Sequence, residues 1–502
     1  MKHSRIKRAI LFLLLTSMLA SAAACGDSGS AGTDTTASTT NTADTTVDTS
    51  LRENTPDSLP SNLNFNGQVV RIGYAGGDKA HLDVSGEETG DIVDDAVFSR
   101  QRSVEERLNI KFEYIAGDPD GVVFLDNVRT TITAGDDAYD MINGYTYRMT
   151  VLANNGYLCD LADAEYLDFD QPWWAEKYNE AIALNSNSRY MLCGDLSLSQ
   201  TKSLSCIFFN RTLYESNFGS PDDLYQLVLD GKWTYETMAE YVKGAFRDLN
   251  SDGKAGYEDV IGLATTQSGP TEHFAYPAGM QITTRDKDGY PTFITDQTRN
   301  VEITEKLYKL MYETEGTFVS TDPYAINNEI PQYFSSGTIL FYPGQLGDTS
   351  KIRDASEPYG ILPRPKLNEA QASYLSLPHD ATSVYAVPIT CGEVDIVCAA
   401  MEAMAAQGYR TVVPAYYETA LKIKYTHDDM SAQIIDIIHD NITTDFIYAN
   451  NYALGTKSNL GTIQRQLMKA KSTDFMSTYD SMKTEVKAAL DTLIAQDKEN
   501  NE

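Results

Sequence analysis

VVRIGY at Val69–Tyr74 and IKFEYI at Ile110–Ile115 are short runs rich in β-branched and aromatic residues. Between them lies the longer DIVDDAVFSRQRSVEERL of Asp91–Leu108, in which apolar residues recur at helical spacing. The alternation continues: Val123–Ala134 predicts a helix, Tyr139–Asn143 a brief strand and Val151–Asp163 another helix. Strand, helix and strand in this order predict a parallel sheet covered by helices. In such sheets ligands sit beyond the carboxyl ends of the strands. Those ends carry Tyr74-Ala75-Gly76-Gly77-Asp78 and Gly144-Tyr145-Thr146-Tyr147.

A second unit opens near Ser205, where Cys206-Ile207-Phe208-Phe209 is too apolar for a surface strand. After Trp233, Thr234 is placed to cap a helix whose stripe is Tyr235, Met238, Ala239, Val242, Ala245 and Phe246. The same spacing recurs at Val394, Val397, Cys398, Met401, Met404 and Ala405, and both stripes read as core. Thr338–Tyr342 predicts a strand ended by Pro343-Gly344, and Ser472 onward an outer helix with a frayed end. Beyond Cys25 there are five cysteines, an odd number without a C-x-x-C, so a disulfide framework is not expected. Cys206 and Cys398 read as small core residues.

The amino terminus indicates where the chain works. Lys2, Arg5, Lys7 and Arg8 precede an apolar run from Ala9 to Ala24 that is shorter than the roughly 20 residues of a spanning helix. The small residues Ala22-Ala23-Ala24 lead into Cys25, the pattern of a lipoprotein signal over residues 1–24 with lipid on Cys25. Position 22 is Ala where such signals more often carry Leu, so ordinary cleavage and free secretion is the alternative. Residues 25–60 are Thr, Ser, Asp, Gly and Ala with little that is large and apolar, which predicts a disordered tether. As a flexible coil it would hold the folded part on the order of 30 Å from the lipid.

Loss of the four basic leader residues takes the formal net charge from −31 to −35. Such a surface repels phosphate backbones, so nucleic-acid binding is excluded, and membrane contact is left to the lipid. The 31 tyrosines, against three tryptophans, suit a wet surface for a polar ligand, although most must serve the core.

Asp248-Leu249-Asn250-Ser251-Asp252-Gly253-Lys254-Ala255-Gly256-Tyr257-Glu258-Asp259 has the spacing of a calcium loop. Asp248, Asn250, Asp252 and Asp259 supply side-chain oxygens at positions 1, 3, 5 and 12, Lys254 its carbonyl, and Gly253 the sharp turn. Val260-Ile261-Gly262-Leu263 then reads as strand, so the site is structural and lacks the paired helices of a sensor. Asp at position 12 predicts weak affinity, suited to extracellular calcium. An Asx turn without metal is the alternative.

Several stretches, in shared order, resemble the extracellular solute-binding proteins of ABC importers, the maltose-binding-like family 1. They are Val97–Leu108, Tyr139-Asp140-Met141-Ile142, Gly156–Leu161, Pro172-Trp173-Trp174, Gly194-Asp195-Leu196-Ser197 and Phe208-Phe209-Asn210. Asp230–Thr234, Phe334–Gly337 and Gly360–Lys366 follow. The resemblance implies a periplasmic-binding-protein-like α/β fold of two discontinuous lobes joined by hinge strands around a ligand cleft. Residues 61–200 plus 332–385 would form the N-terminal lobe, and 205–331 plus 386–502 the C-terminal lobe. Crossings are expected near Ser199–Leu204, Gln332–Leu340 and Val384–Pro388. It further implies a monomer, anchored on the extracellular face of the cytoplasmic membrane, that captures a polar solute, an oligosaccharide, and delivers it to an ABC permease and its ATPase.

Solute contacts carried over from the family fall on Tyr74 and Asp78, on Tyr145 and Tyr147, and on Tyr342 and Gln345 within Tyr342–Leu346. Sugar binders of the group place Trp in these loops, where this chain has Tyr or Leu. Trp173 and Trp174 suit a stacking platform, or else pin a long connection to the core. Asp195 would bind hydroxyls or hold the crossover turn, Trp233 reads as structural, and Tyr276 is a weaker solute candidate. The rival reading is a surface glycosidase, since 71 acidic residues make some carboxylate pair inevitable. No G-x-S-x-G, H-E-x-x-H or G-x-x-x-x-G-K is present, and the histidines lack metal spacing.

Overall fold

The computed structural model describes residues 51–76, 84, 87–422, 429–457 and 459–500. The leader, Cys25, the tether up to residue 50 and Asp78 lie outside the described residues. The last ten residues of the expected tether are not loose. Arg52–Asn54 form a 3-10 turn, Leu59 is buried, and Arg410 Nη1 donates to the Thr55 carbonyl at 2.7 Å. Leu51, Leu59 and Pro60 bring the apolar surface that the Thr/Ser/Asp stretch before them lacks.

The first lobe is built on β1 (Gln68–Ala75), α1 (Ile92–Leu108), β2 (Ile110–Gly117), α2 (Gly121–Ala134), β3 (Met141–Tyr145) and α3 (Thr146–Asn154). Asp91 and Asp120 cap α1 and α2 through their side chains, each accepting from two backbone N–H groups of the first turn. β1 pairs in parallel with both β2 and β3. The helix expected at Val151–Asp163 starts at Thr146 directly from β3 and stops at Asn154. Gly156 takes φ 72°, and Leu158 then bridges Pro388, so the following residues are spent on tertiary pairing. The short α4 (Glu176–Ile182) and α5 (Leu198–Ser203) lead to the second lobe.

There β4 (Ser205–Asn210) is buried at every residue, α6 (Tyr235–Ala245) is capped by the Thr234 hydroxyl, and β5 (Ile261–Thr266) follows. The hairpin β6 (Thr283–Arg285) and β7 (Pro291–Phe293) precedes β8 (Thr317–Ser320), β9 (Ile339–Gln345) and β10 (Tyr359–Pro363). The five-stranded sheet has the order β10-β4-β9-β5-β8. After it β11 (Ser383–Ala386) returns to the first lobe and pairs antiparallel with β3, completing a four-stranded sheet of order β11-β3-β1-β2. α7 (Val394–Gln407), α8 (Val413–Lys422), α9 (Asp429–Asp440), α10 (Phe446–Ala449) and α11 (Phe475–Asn500) complete the chain.

This topology corrects the expected lobe boundaries. Residues 332–385 are expected in the first lobe, yet β9 and β10 flank β4 in the second sheet, with Phe208 opposite Tyr342 and Ile361. No crossing occurs at Gln332–Leu340; the chain returns along Leu377–Thr382, just before β11. The stretch from 386 was assigned to the second lobe, but Val397, Cys398, Met401 and Met404 of α7 pack with Leu108, Trp173 and Leu192 in the first. Pro343-Gly344 does not end its strand: β9 runs on to Gln345, with Pro343 paired to Ile207.

Candidate functional site

A cavity of about 650 Å³ lies between the lobes at the carboxyl ends of β3 and β9. Tyr145 and Ser383 line it from the first lobe, Gln345 and Asp348 from the second, and Lys202, Ser203 and His379 from the two crossing segments. The crossings are fastened to one another, since the Ser203 and Thr382 hydroxyls hydrogen-bond and the His379 N–H donates to the Ser203 carbonyl at 3.3 Å. The cavity therefore sits on the pivot between the lobes.

Tyr145 ends β3 half-buried, its ring lying where a Cβ on Gly121 would come within 2.4 Å. Only glycine leaves room for that ring. It stacks on Tyr147 with centroids 6.1 Å apart and planes at 9°. Burial, then the neighbouring Tyr147 and Asp120, raises the Tyr145 hydroxyl pKa, so it stays a neutral donor. Tyr147 meets Tyr452 edge-on, and the Arg148 guanidinium lies 3.6 Å from the Tyr452 ring centroid. Opposite, the Gln345 N–H donates to Asp348 Oδ2 at 2.9 Å, and Asp348 also accepts from Tyr342 and pairs with Lys351 at 2.8 Å. Asp348 is thus engaged on all sides, and Gln345, half-buried at the end of its strand, is the freer group.

The other sequence candidates fall elsewhere. Tyr342 has no exposed surface: its ring stacks on Phe208 at 5.5 Å and its hydroxyl is held by Asp348, so it is a core residue and not a solute contact. β9 is the central strand between β4 and β5 and is buried on both faces from Ile339 to Gly344, so Tyr342 has no outward side to present. Tyr74 is 7% exposed within the first-lobe core. Tyr276 donates to the Gly461 carbonyl at 2.8 Å and is fully buried. Trp233 donates to Pro363 O at 2.9 Å from the second core. Trp173, Trp174 and Asp195 line a separate cavity behind α5. Trp174 Nε1 donates to Glu402 of α7 at 3.0 Å, which pins the 165–175 loop to the core. Lys202, Ser203 and His379 carry no motif; only their place on the crossings marks them.

In the Asp248–Asp259 loop, Asp248, Asp252 and Asp259 each offer a carboxylate oxygen, all within 4.8 Å of one another. The loop is closed at its base by the Arg247–Val260 bridge. Asp248 accepts from the N–H groups of Ser251, Asp252 and Gly253, while buried Asp259 accepts from Leu249 and Gly256. Asn250 Oδ1 accepts from the Asp252 N–H at 2.9 Å. The clustered hard oxygens fit calcium, and the backbone amides already compensate part of their charge.

No protein-family model matches the chain, and no curated protein matches it in sequence. Solved structures do match. The GacH receptor of Streptomyces glaucescens, solved unliganded and with acarbose, is 14% identical over 84% of this chain and 99% of its own, with a TM-score of 0.50. UspC of M. tuberculosis is 14% identical over 84% and 100%, with a TM-score of 0.55. A cyclo/maltodextrin-binding protein complexed with maltotetraose is 10% identical over 84% and 97%, also at 0.55. The chain has the two-lobed α/β fold of the maltose-binding-like solute-binding proteins.

Proposed function

We propose that the protein captures a polar solute, an oligosaccharide, in the cavity between its lobes and delivers it unaltered to an ABC permease and its ATPase. The observation that carries this reading is the cavity on the pivot, where Tyr145 faces Gln345, Lys202 and His379. Tyrosine supplies a flat face for sugar C–H groups, and amide, hydroxyl and ammonium groups orient the hydroxyls. Closure must draw its energy from contacts made only when the lobes meet. The chain works as a monomer outside the cytoplasmic membrane, tethered by lipid on Cys25. Its structural neighbours include proteins whose names record acarbose and maltotetraose as ligands, which supports the solute class.

Titration with a panel of oligosaccharides, followed by calorimetry and thermal shift, tests this directly. Tyr145→Ala is expected to weaken binding about tenfold or more, with a loss of stability of about 1 kcal/mol because the ring is half-buried. Unchanged affinity, or recovery of the sugar in cleaved form, rules the reading out.

Calcium in the Asp248–Asp259 loop would act as a structural staple. Asp248→Asn with Asp252→Asn is expected to lower the melting temperature by several degrees in calcium and by little in chelator. Equal losses in both conditions would leave an ordinary Asx turn.

A further inference from the structure

Behind α5 lies a second cavity of about 490 Å³. Gln200 of that helix lines it, whereas Ser199, Lys202 and Ser203 line the cleft, so the two spaces share one wall. Trp173, Trp174 and Asp195 reach the second cavity from the first lobe, and Asp436 and His439 of α9 from the second. Its volume is within the roughly 300–1,000 Å³ of small-molecule sites.

Four polar atoms of residues lining this space are buried and have no hydrogen-bond partner among the described residues: Gln200 Nε2, Trp173 Nε1, Asp195 Oδ2 and Glu176 Oε2. Gln200 and Asp195 are only 1% and 3% exposed. Arg52 Nη2 approaches Asp195 Oδ2 at 3.5 Å, a charge contact that leaves the oxygen without a hydrogen bond. An unpaired buried donor or acceptor carries an uncompensated desolvation cost, and such groups are kept where water, an ion or a ligand completes them.

A molecule that answers this lining must accept hydrogen bonds from the Gln200 amide and the Trp173 indole N–H and donate to two carboxylates. An organic cation has no acceptor for Gln200. The carboxylates of Glu176, Asp195, Asp436 and Asp440 outnumber the cations Arg52, Lys177 and His439 of the same lining, which disfavours an anion. A hydroxyl both donates and accepts. We infer that the cavity behind α5 is a second binding site, for a small neutral polyhydroxylated ring such as a monosaccharide or cyclic polyol. Its walls come from both lobes, so an occupant biases their arrangement, and by reciprocity cleft ligand alters its affinity.

Tryptophan emission reports on this site, because Trp173 and Trp174 line it while Trp233, the third tryptophan of the chain, is buried in the second-lobe core. The full-length protein is titrated with glucose, galactose, mannose, xylose and myo-inositol. At least one is expected to give a saturable emission change whose Kd rises about tenfold in Gln200→Leu and stays the same in Gln345→Ala. Gln200→Glu, which keeps the side-chain shape and removes the amide donor, gives the same loss if the leucine variant folds poorly. Absence of any saturable change, an equal Kd in both Gln200 variants, or loss of the change in Gln345→Ala overturns the proposal. Failure of oligosaccharide capture in the cleft is read separately, from calorimetry of oligosaccharide on wild type and Gln345→Ala.

Discussion

Replacing Arg285 by Ala is expected to lower stability by about 2–3 kcal/mol, the scale for losing charge-assisted hydrogen bonds from a half-buried guanidinium. Arg285 ends β6 of the second lobe, yet its guanidinium serves α4 of the first. Nη2 donates to the carbonyls of Glu180, Ala181 and Ala183 at 2.5, 3.0 and 2.8 Å, and Nη1 to Leu184 O at 3.1 Å. These are the last carbonyls of α4 and the residues after it, which have no partner within the helix and carry its negative dipole end. Burial pulls the Arg285 pKa down to about 10 against the opposing charges of Asp445 and Glu180, so it is cationic at neutral pH. The hairpin is itself anchored, because Asp445 Oδ2 accepts from the Ile282 and Thr283 N–H groups at 2.9 Å each. Removing the guanidinium strands several carbonyls at once between the lobes. Arg285→Lys keeps the charge but not the planar fork and should recover only part of the loss. Urea unfolding of both variants measures this; an alanine variant within about 1 kcal/mol of wild type would mean that water replaces the guanidinium without cost.

Local rules read directly from the residues located α1, α2, α6 and the strands β1, β2 and β4, because each carries its own periodicity and, for the helices, its own cap: Asp91, Asp120 and Thr234 are where such caps should be. What local rules do not contain is which sheet a strand joins. β9 and β10 are as apolar as β11, and only the pairing of Phe208 with Tyr342 and Ile361 puts them in the second lobe. The same limit explains the candidate site. Tyr145 was legible as a residue at a strand's carboxyl end, Gln345 came only with the family resemblance, and both line the cleft. Tyr342 was expected at the strand's end and is buried, since β9 runs on to Gln345 as a central strand covered on both faces, which its own residues do not announce. Trp173 and Trp174 were legible as a place to look, but which side of α5 they occupy follows from long-range packing against α7.

Raising the pH through about 9 is expected to remove roughly 3 kcal/mol of stability through one residue, His439. Its ring joins the lobes: Nε2 lies 3.0 Å from Asp195 Oδ1 and Nδ1 lies 2.9 Å from Asp440 Oδ1. Two carboxylates facing both ring nitrogens require two N–H donors, hence an imidazolium. Burial pushes the His439 pKa down, but the charge and hydrogen bond of Asp195, with those of Asp440, overcome it and carry the value from 6.5 up to about 9. Asp436 and Arg52 also face this cluster, and the Tyr417 ring meets His439 edge-on at 5.9 Å. The Tyr417 hydroxyl is raised well above 10 by burial and stays neutral across the window. Because the folded pKa exceeds the unfolded one, the contribution is fully present below about 6.5, shrinks as pH rises and is gone above about 9. General repulsion in this acidic chain also grows with pH, so the wild-type slope alone is not diagnostic. His439→Gln keeps a donor toward Asp195 without a titrating charge, and shares the general repulsion. Urea unfolding at about pH 6 and about pH 10 should therefore show wild type losing roughly 3 kcal/mol more than the variant. Parallel losses in the two proteins would mean that the imidazole is neutral in the folded state and that the lobes are not joined by charge at this point.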